Sequence, residues 1–267
     1  MDSEPAGERP RPAQVRERPL AGPVPRLELE EWRERFGIVA GITGRGGEGD
    51  EGFDLGLWGP SPVGGVMGRW RALRAALPGA DGLVLGHQIH GAEVATVGAA
   101  RGWLQMEGFD GWVTTTPGTF LAITVADCIP VYLAVPGRGI ALLHAGWRGT
   151  AGGILGAGLD RLLLATGGTA ADVLMHCGIG ICGACYEVGS EVMAECRIPH
   201  DGAGPFRLDL RAVLADQATG LGLGGITLSR WCSAHERDRF FSHRASGGRD
   251  GRMVAYLGMP RERDRSA

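Results

Sequence analysis

Three short apolar runs follow one another in the middle of the chain, and reactive residues stand where they stop. Residues 120–125 run into Ala126-Asp127-Cys128, residues 131–135 follow Pro130, and residues 139–143 end at His144. Runs this short, rich in β-branched residues, read as strands. Further strands are expected at 36–42, 83–89, 93–97, 173–176, 226–229 and 252–257, the first followed by a turn-rich stretch at 43–52. Apolar residues recur at helical intervals over 66–77, 149–165, 186–196 and 210–221. Strands and helices intermix, so the class is α/β, with α+β possible.

Six of the fifteen prolines fall within residues 1–26, among many Arg and Glu. Such a segment buries too little apolar surface to offset its ordering entropy and is expected to be disordered. Residues 260–267 form a charged tail, and 27–259 read as one catalytic domain with no internal linker or repeat. Hydrophobic residues at 44% of 267 suffice for a large core. Every basic residue is Arg, which excludes a lysine Schiff base, a Walker lysine or a lysine general base. A net charge of -3 gives no field for nucleic acid or acidic lipid. No stretch is long and apolar enough to span a bilayer, and the N-terminus lacks a signal-type apolar region. Six cysteines in this setting read as thiols of a reducing compartment, the cytoplasm.

Chemistry concentrates in four segments: His87-Gln88-Ile89-His90-Gly91, Asp127-Cys128, His144-Ala145-Gly146-Trp147-Arg148-Gly149, and residues 177–188. His90, Cys128 and His144 form a candidate metal triad, since two imidazoles and a thiolate suit zinc or copper and leave a fourth position open. Taken alone, a histidine at a strand end is more often an ordinary core or surface residue than a ligand. Asp127 is placed to orient a ligand or act as a general base, or else to cap a turn. His87 and His90, three apart near a strand, point to opposite faces, so one of them is expected in the site.

Two patterns read better as coincidence. Gly178-Ile179-Gly180-Ile181-Cys182-Gly183 fits a dinucleotide-binding loop, but it lies late in a chain holding 47 glycines. Cys177, Cys182 and Cys185, with Cys196, match an iron–sulfur spacing but read as small buried residues. Arg45, in the glycine-rich stretch 41–47, with Arg148 and Arg244, are candidates for gripping an anionic substrate, against the plainer reading of surface ion pairs.

Together Gln88-Ile89-His90-Gly91, Ala126-Asp127-Cys128, His144-Ala145-Gly146-Trp147-Arg148-Gly149, Cys185-Tyr186-Glu187-Val188 and Phe241-Ser242 with Arg244 resemble the bacterial laccase-domain family. The family is also called multicopper-oxidase-like or peptidoglycan editing factor. The resemblance spans roughly residues 38–258 and implies a single domain with a central mixed sheet. It also implies one zinc or copper ion per chain on His90, Cys128 and His144. Its members are described as purine nucleoside phosphorylases acting on adenosine, inosine, guanosine and methylthioadenosine, some of them also adenosine deaminases. Purine nucleoside and inorganic phosphate are then the substrates. Gly178-Ile179, Leu214 and Asp54 depart from the family pattern and bear on substrate preference, since all three proposed ligands are intact.

Phosphorolysis needs anion-binding Arg, for which Arg45 and Arg148 are the candidates, and protonation of the departing base. Three alternatives stand beside it. A copper-dependent polyphenol oxidase is disfavoured, because seven histidines include no His-x-His pair for several coppers. A hydrolase editing cell-wall precursors is another. The third is a non-catalytic binding module whose structural zinc takes Cys185 or Cys232 as a fourth ligand. The oligomeric state is left open.

Overall fold

The computed structural model describes residues 12–46, 52–59 and 61–261. Its strands form two seven-stranded sheets packed face to face and a separate two-stranded pair. One sheet runs Ala13–Val15, Gly225–Ser229, Leu174–Cys177, Ile129–Val135, Gly139–Ala145, Gly111–Thr114, Val94–Thr96 from edge to edge. The other runs Arg18–Leu20, Arg26–Glu28, Val39–Thr43, Met253–Gly258, Thr119–Val125, Gly82–His87, Gly102–Glu107. Each mixes parallel and antiparallel pairs. The α/β class, the mixed pairing and the flanking helices are as expected; the sheet is doubled.

Side-chain alternation explains the doubling. Along Ile129–Val135, Tyr132 and Ala134 pack between the sheets with Leu121, Ile123 and Leu142. Val131, Leu133 and Val135 face away, toward residues of the helices Ile154–Thr166 and Leu210–Gly220. In the second sheet Leu121 and Ile123 point inward, while Phe120 and Ala122 meet Trp70 and Leu73 of the helix Val63–Ala76. Strands buried on both faces show no polar alternation, so their sequences read as continuous apolar runs. The layers are therefore helix, sheet, sheet, helix.

Several local expectations are corrected. The helix expected over 149–165 is two, Trp147–Ala151 and Ile154–Thr166, because Gly153 adopts a φ of 82° between them. The helix expected from Tyr186 to Cys196 begins later, at Ser190; Glu187–Val188 pairs instead with Phe206–Arg207. The segment 1–26 is expected to be disordered, yet its described residues, 12–26, carry regular structure. Ala13–Val15 and Arg18–Leu20 are edge strands, one in each sheet, and edges are where Pro19 is tolerated. Glu17 between them is buried and explains the order: its carboxylate meets His176 Nε2 at 3.0 Å and accepts from Ser229 Oγ at 2.8 Å. Residues 1–11, part of the turn-rich stretch (47–51) and the tail from 262 lie outside the described residues. No helix among the described residues is long and apolar enough to cross a membrane.

The doubled sheet also positions the chemistry. Three connections cross from one sheet to the other at the same end: Gly82–His87 to Val94–Thr96, Gly102–Glu107 to Gly111–Thr114, and Thr119–Val125 to Ile129–Val135. Gly139–Ala145, antiparallel to its neighbours, ends there too. These crossings carry His90, Asp110 and Cys128, and the fourth strand end carries His144.

Candidate metal centre

His90, Cys128 and His144 converge so that one ligand atom from each lies within 4.8 Å of the others. Among the described residues no fourth Cys, His, Asp or Glu joins the group. The two imidazole rings meet edge to face, with centroids 4.8 Å apart. His144 is 2% exposed; Cys128 is half-buried and His90 exposed, so the group opens toward solvent on one side.

The organiser of this end is Asp110, which sequence reasoning missed. Its fully buried carboxylate lies 2.8 Å from His144 Nδ1 and accepts from the backbone N–H groups of Ile89, His90 and Gly91 at 3.2, 2.9 and 2.7 Å. Burial pushes its pKa up, but the hydrogen bonds from His144 and the loop amides outweigh that and hold it below the usual carboxylate range. An ionised Asp110 only accepts, so His144 Nδ1 carries the proton and Nε2 is left for a ligand. The loop reaching Asp110 is anchored by Gln88, whose amide accepts from Thr124 N and Oγ1 at 2.8 Å and donates to Thr124 O at 2.9 Å. His90 itself holds a φ of 60° and Asp127 one of 85°, conformations uncommon outside glycine that persist where surrounding contacts enforce them.

Cys128 is electrostatically prepared as a thiolate. Burial alone raises its pKa, yet the His144 charge and hydrogen bonds from His144 and His90 bring it down to about 6. Burial lowers that of His144, and the Cys128 charge with the Asp110 hydrogen bond reverses this, up to about 9. Of the glycines in His144-Ala145-Gly146-Trp147-Arg148-Gly149, Gly149 is a steric requirement and Gly146 sits in a tight contact. A Cβ on Gly146 would lie 3.1 Å from Cys128 Sγ, and one on Gly149 would lie 2.7 Å from the carbonyl oxygen of Gly91.

A cleft of about 570 Å3 opens over the triad. His87, outside the ligand group, stacks on Trp58 along its wall, with centroids 4.5 Å apart. Arg148, Arg244 and Arg252 are among the residues that line it. Arg148 lies over the Trp147 ring at 4.3 Å, and Arg244 lies over Tyr186 at 5.0 Å while donating to Glu187 O at 2.6 Å.

Arg45 requires correction. It does not line this cleft; its guanidinium pairs with Asp250 at 3.0 Å and covers the Phe241 ring at 4.7 Å. Arg252, which the sequence did not single out, lines the cleft instead. Asp127 borders the cleft, but both its oxygens are engaged: Oδ1 accepts from Ser233 Oγ and Oδ2 from Arg244 N, each at 2.6 Å. That is the turn-holding role. Ile179 and Leu214 are fully buried in the core. Asp54 accepts from Arg252 N at 2.7 Å and so positions a lining residue. The glycine-rich 178–183 segment opens no helix; Gly180 bridges to Cys232. Cys177 and Cys196 are buried as expected, whereas Cys182 and Cys185 gather with Cys232 and His235, apart from the triad.

A fold with paired mixed sheets and a His-Cys-His end site has relatives. The profile of the multi-copper polyphenol oxidoreductase laccase family matches residues 52–260, and the chain belongs to that family. A purine nucleoside phosphorylase of Deinococcus radiodurans is 38% identical over 209 residues, covering 76% of this chain and 79% of that one. An adenosine deaminase of an unknown prokaryotic organism is 34% identical over 194 residues, covering 64% and 73%. The crystal structure of YlmD from Geobacillus stearothermophilus superposes with a TM-score of 0.78 at 28% identity, covering 91% of this chain and 98% of that one.

Proposed function

We propose that the chain is a metal-dependent purine nucleoside phosphorylase. The observation that carries this reading is the open three-ligand group at the floor of a cleft edged by arginines. The names of the relatives support the same substrates.

The donor set fits a catalytic zinc or copper ion: two imidazoles and one thiolate, one imidazole oriented by a buried carboxylate, and no fourth protein ligand in the group among the described residues. When bound, such an ion polarises a reactant oxygen or lowers the pKa of water. The chain's own residues do the rest. Arg148 has no carboxylate partner among the described residues, so its charge is available to an incoming phosphate, and Arg244 and Arg252 line the same cleft. Trp58, stacked on His87, and Tyr186 present aromatic faces on which a purine can lie. Phosphate held on the arginine side attacks the anomeric carbon of the ribose, and the bond to the purine nitrogen breaks with its electron pair leaving on the base. Asp127 acts by holding the Cys128 turn against Ser233 and Arg244, a positioning role.

A second reading, deamination of adenosine, is favoured by the relative bearing that name and by the same open ligand position. One assay separates the readings. The purified chain is incubated with inosine and with adenosine, with and without inorganic phosphate. Phosphate-dependent release of hypoxanthine, lost in His144→Ala, is expected. Phosphate-independent formation of inosine from adenosine, without base release, would replace the first reading by the second. Full turnover in His144→Ala would remove the triad from catalysis.

A further inference from the structure

A second ligand group lies in the loops beside the cleft. One donor atom from each of Cys182, Cys185, Cys232 and His235 lies within 4.8 Å of the others. His235 Nδ1 is 3.6 Å from Cys182 Sγ, and its Nε2 is 3.3 Å from Cys185 Sγ. In sequence the four form two pairs of equal spacing, Cys-x-x-Cys and Cys-x-x-His.

The backbone folds each pair into a tight turn. Cys185 N and Tyr186 N both donate to Cys182 O at 3.0 Å, and Glu236 N donates to Cys232 O at 3.0 Å. The turns are joined by Cys182 N donating to Cys232 Sγ at 3.3 Å, and by Ser233 N donating to Gly180 O at 3.0 Å. All six cysteines are free thiols, so no disulfide accounts for the clustering.

We propose that Cys182, Cys185, Cys232 and His235 form a second metal site, closed by four protein ligands, that takes a zinc-class divalent cation. Three sulfurs and one nitrogen, paired at x2 spacing, are a donor set that tetrahedral structural zinc uses, and a closed set leaves no position for a reactant. The site is distinct from the His90-Cys128-His144 group, with which it shares no ligand. Its task is to clamp two loops. The first, containing Gly180, Ile181 and Tyr186, forms one wall of the cleft; the second presents Ser233 to Asp127. Ile181 N also donates to Asp127 O at 2.9 Å, so the clamp abuts the turn that carries Cys128. His235 is exposed, which leaves the cation a route in from solvent.

The inference does not rest on the proposed activity and is tested without it. Metal content is measured by elemental mass spectrometry on the full chain purified without chelator and supplied with zinc. Two zinc ions per chain are expected. One should remain in a chain carrying Cys128→Ser with His144→Ala, and that one should disappear when Cys182→Ser is added. Zinc alone should also shield Cys182, Cys185 and Cys232 of the unaltered chain from iodoacetamide, read peptide by peptide, so that a variant unable to fold does not decide the matter. Loss of all zinc from a folded Cys128→Ser, His144→Ala chain would overturn the proposal. So would equal alkylation of the three cysteines with and without zinc. A triad that holds no metal would instead show one ion in the unaltered chain, sensitive to Cys182→Ser and not to His144→Ala, which leaves the second site standing.

Discussion

The buried Asp110 carboxylate accepts a hydrogen bond from His144 Nδ1 at 2.8 Å and, through the same two oxygens, accepts from the three amides of the turn that carries His90. One side chain thus sets the orientation of one proposed ligand and the position of another. Asp110→Asn keeps the shape but replaces an acceptor oxygen with a donor facing N–H groups. We expect zinc affinity at the triad to fall roughly 10- to 100-fold, the usual cost of losing such a supporting group. Chelator competition checks this; unchanged affinity would mean that His144 is oriented by something else.

Asp127 tests the difference between holding a turn and moving a proton. Asn at this position tolerates the positive φ, accepts from Arg244 N and donates to Ser233 Oγ. Asp127→Asn should therefore keep kcat within about threefold, whereas removing a general base costs on the order of 100- to 10,000-fold. A loss on that scale would restore Asp127 as an acid–base group.

The arginines divide by their partners. Arg148 stands over Trp147 at the cleft, while Arg45 is committed to Asp250. Arg148→Ala should raise the KM for phosphate about 10-fold or more, since a charge-assisted contact contributes roughly 1.5–3 kcal/mol. Arg45→Ala should leave that KM unchanged and lower thermal stability instead. Steady-state kinetics at varied phosphate distinguishes them, and a phosphate effect confined to Arg45 would reverse the assignment.

Gly149→Ala places a methyl group 2.7 Å from Gly91 O, in a turn backed by buried strands. Overpacking of this kind costs about 1–3 kcal/mol, and here the strain is directed at the loop bearing His90. We expect a lowered denaturation midpoint together with weakened zinc binding. A protein of unaltered stability would show that the loop yields freely.

The triad was legible in the sequence because imidazole and thiol are rare and stood where apolar runs stopped. Asp110 was not, since an aspartate in Phe109-Asp110-Gly111 looks like any turn residue until folding brings Ile89, His90 and Gly91 against it. The second sheet was hidden for a related reason: residues 120–125, 129–135 and 139–145 are buried on both faces, and the alternation that would assign a face is missing. Glu17 misled in the opposite direction, because its proline- and arginine-rich neighbours read as disorder while its carboxylate anchors them to His176 and Ser229. The Cys182/Cys185 and Cys232/His235 pairs did carry a signal, the shared x2 spacing, which became visible only by pairing segments about 50 residues apart.

Stripping and restoring the metal tests the central claim most directly. The chain is freed of metal by chelation, zinc is returned in steps, and phosphate-dependent release of hypoxanthine from inosine is followed in parallel with that of Cys128→Ser. The account predicts negligible turnover in the stripped protein, recovery as zinc fills the His90-Cys128-His144 group, and no recovery in the variant. Full turnover by the metal-free chain, or equal recovery by Cys128→Ser, would contradict it.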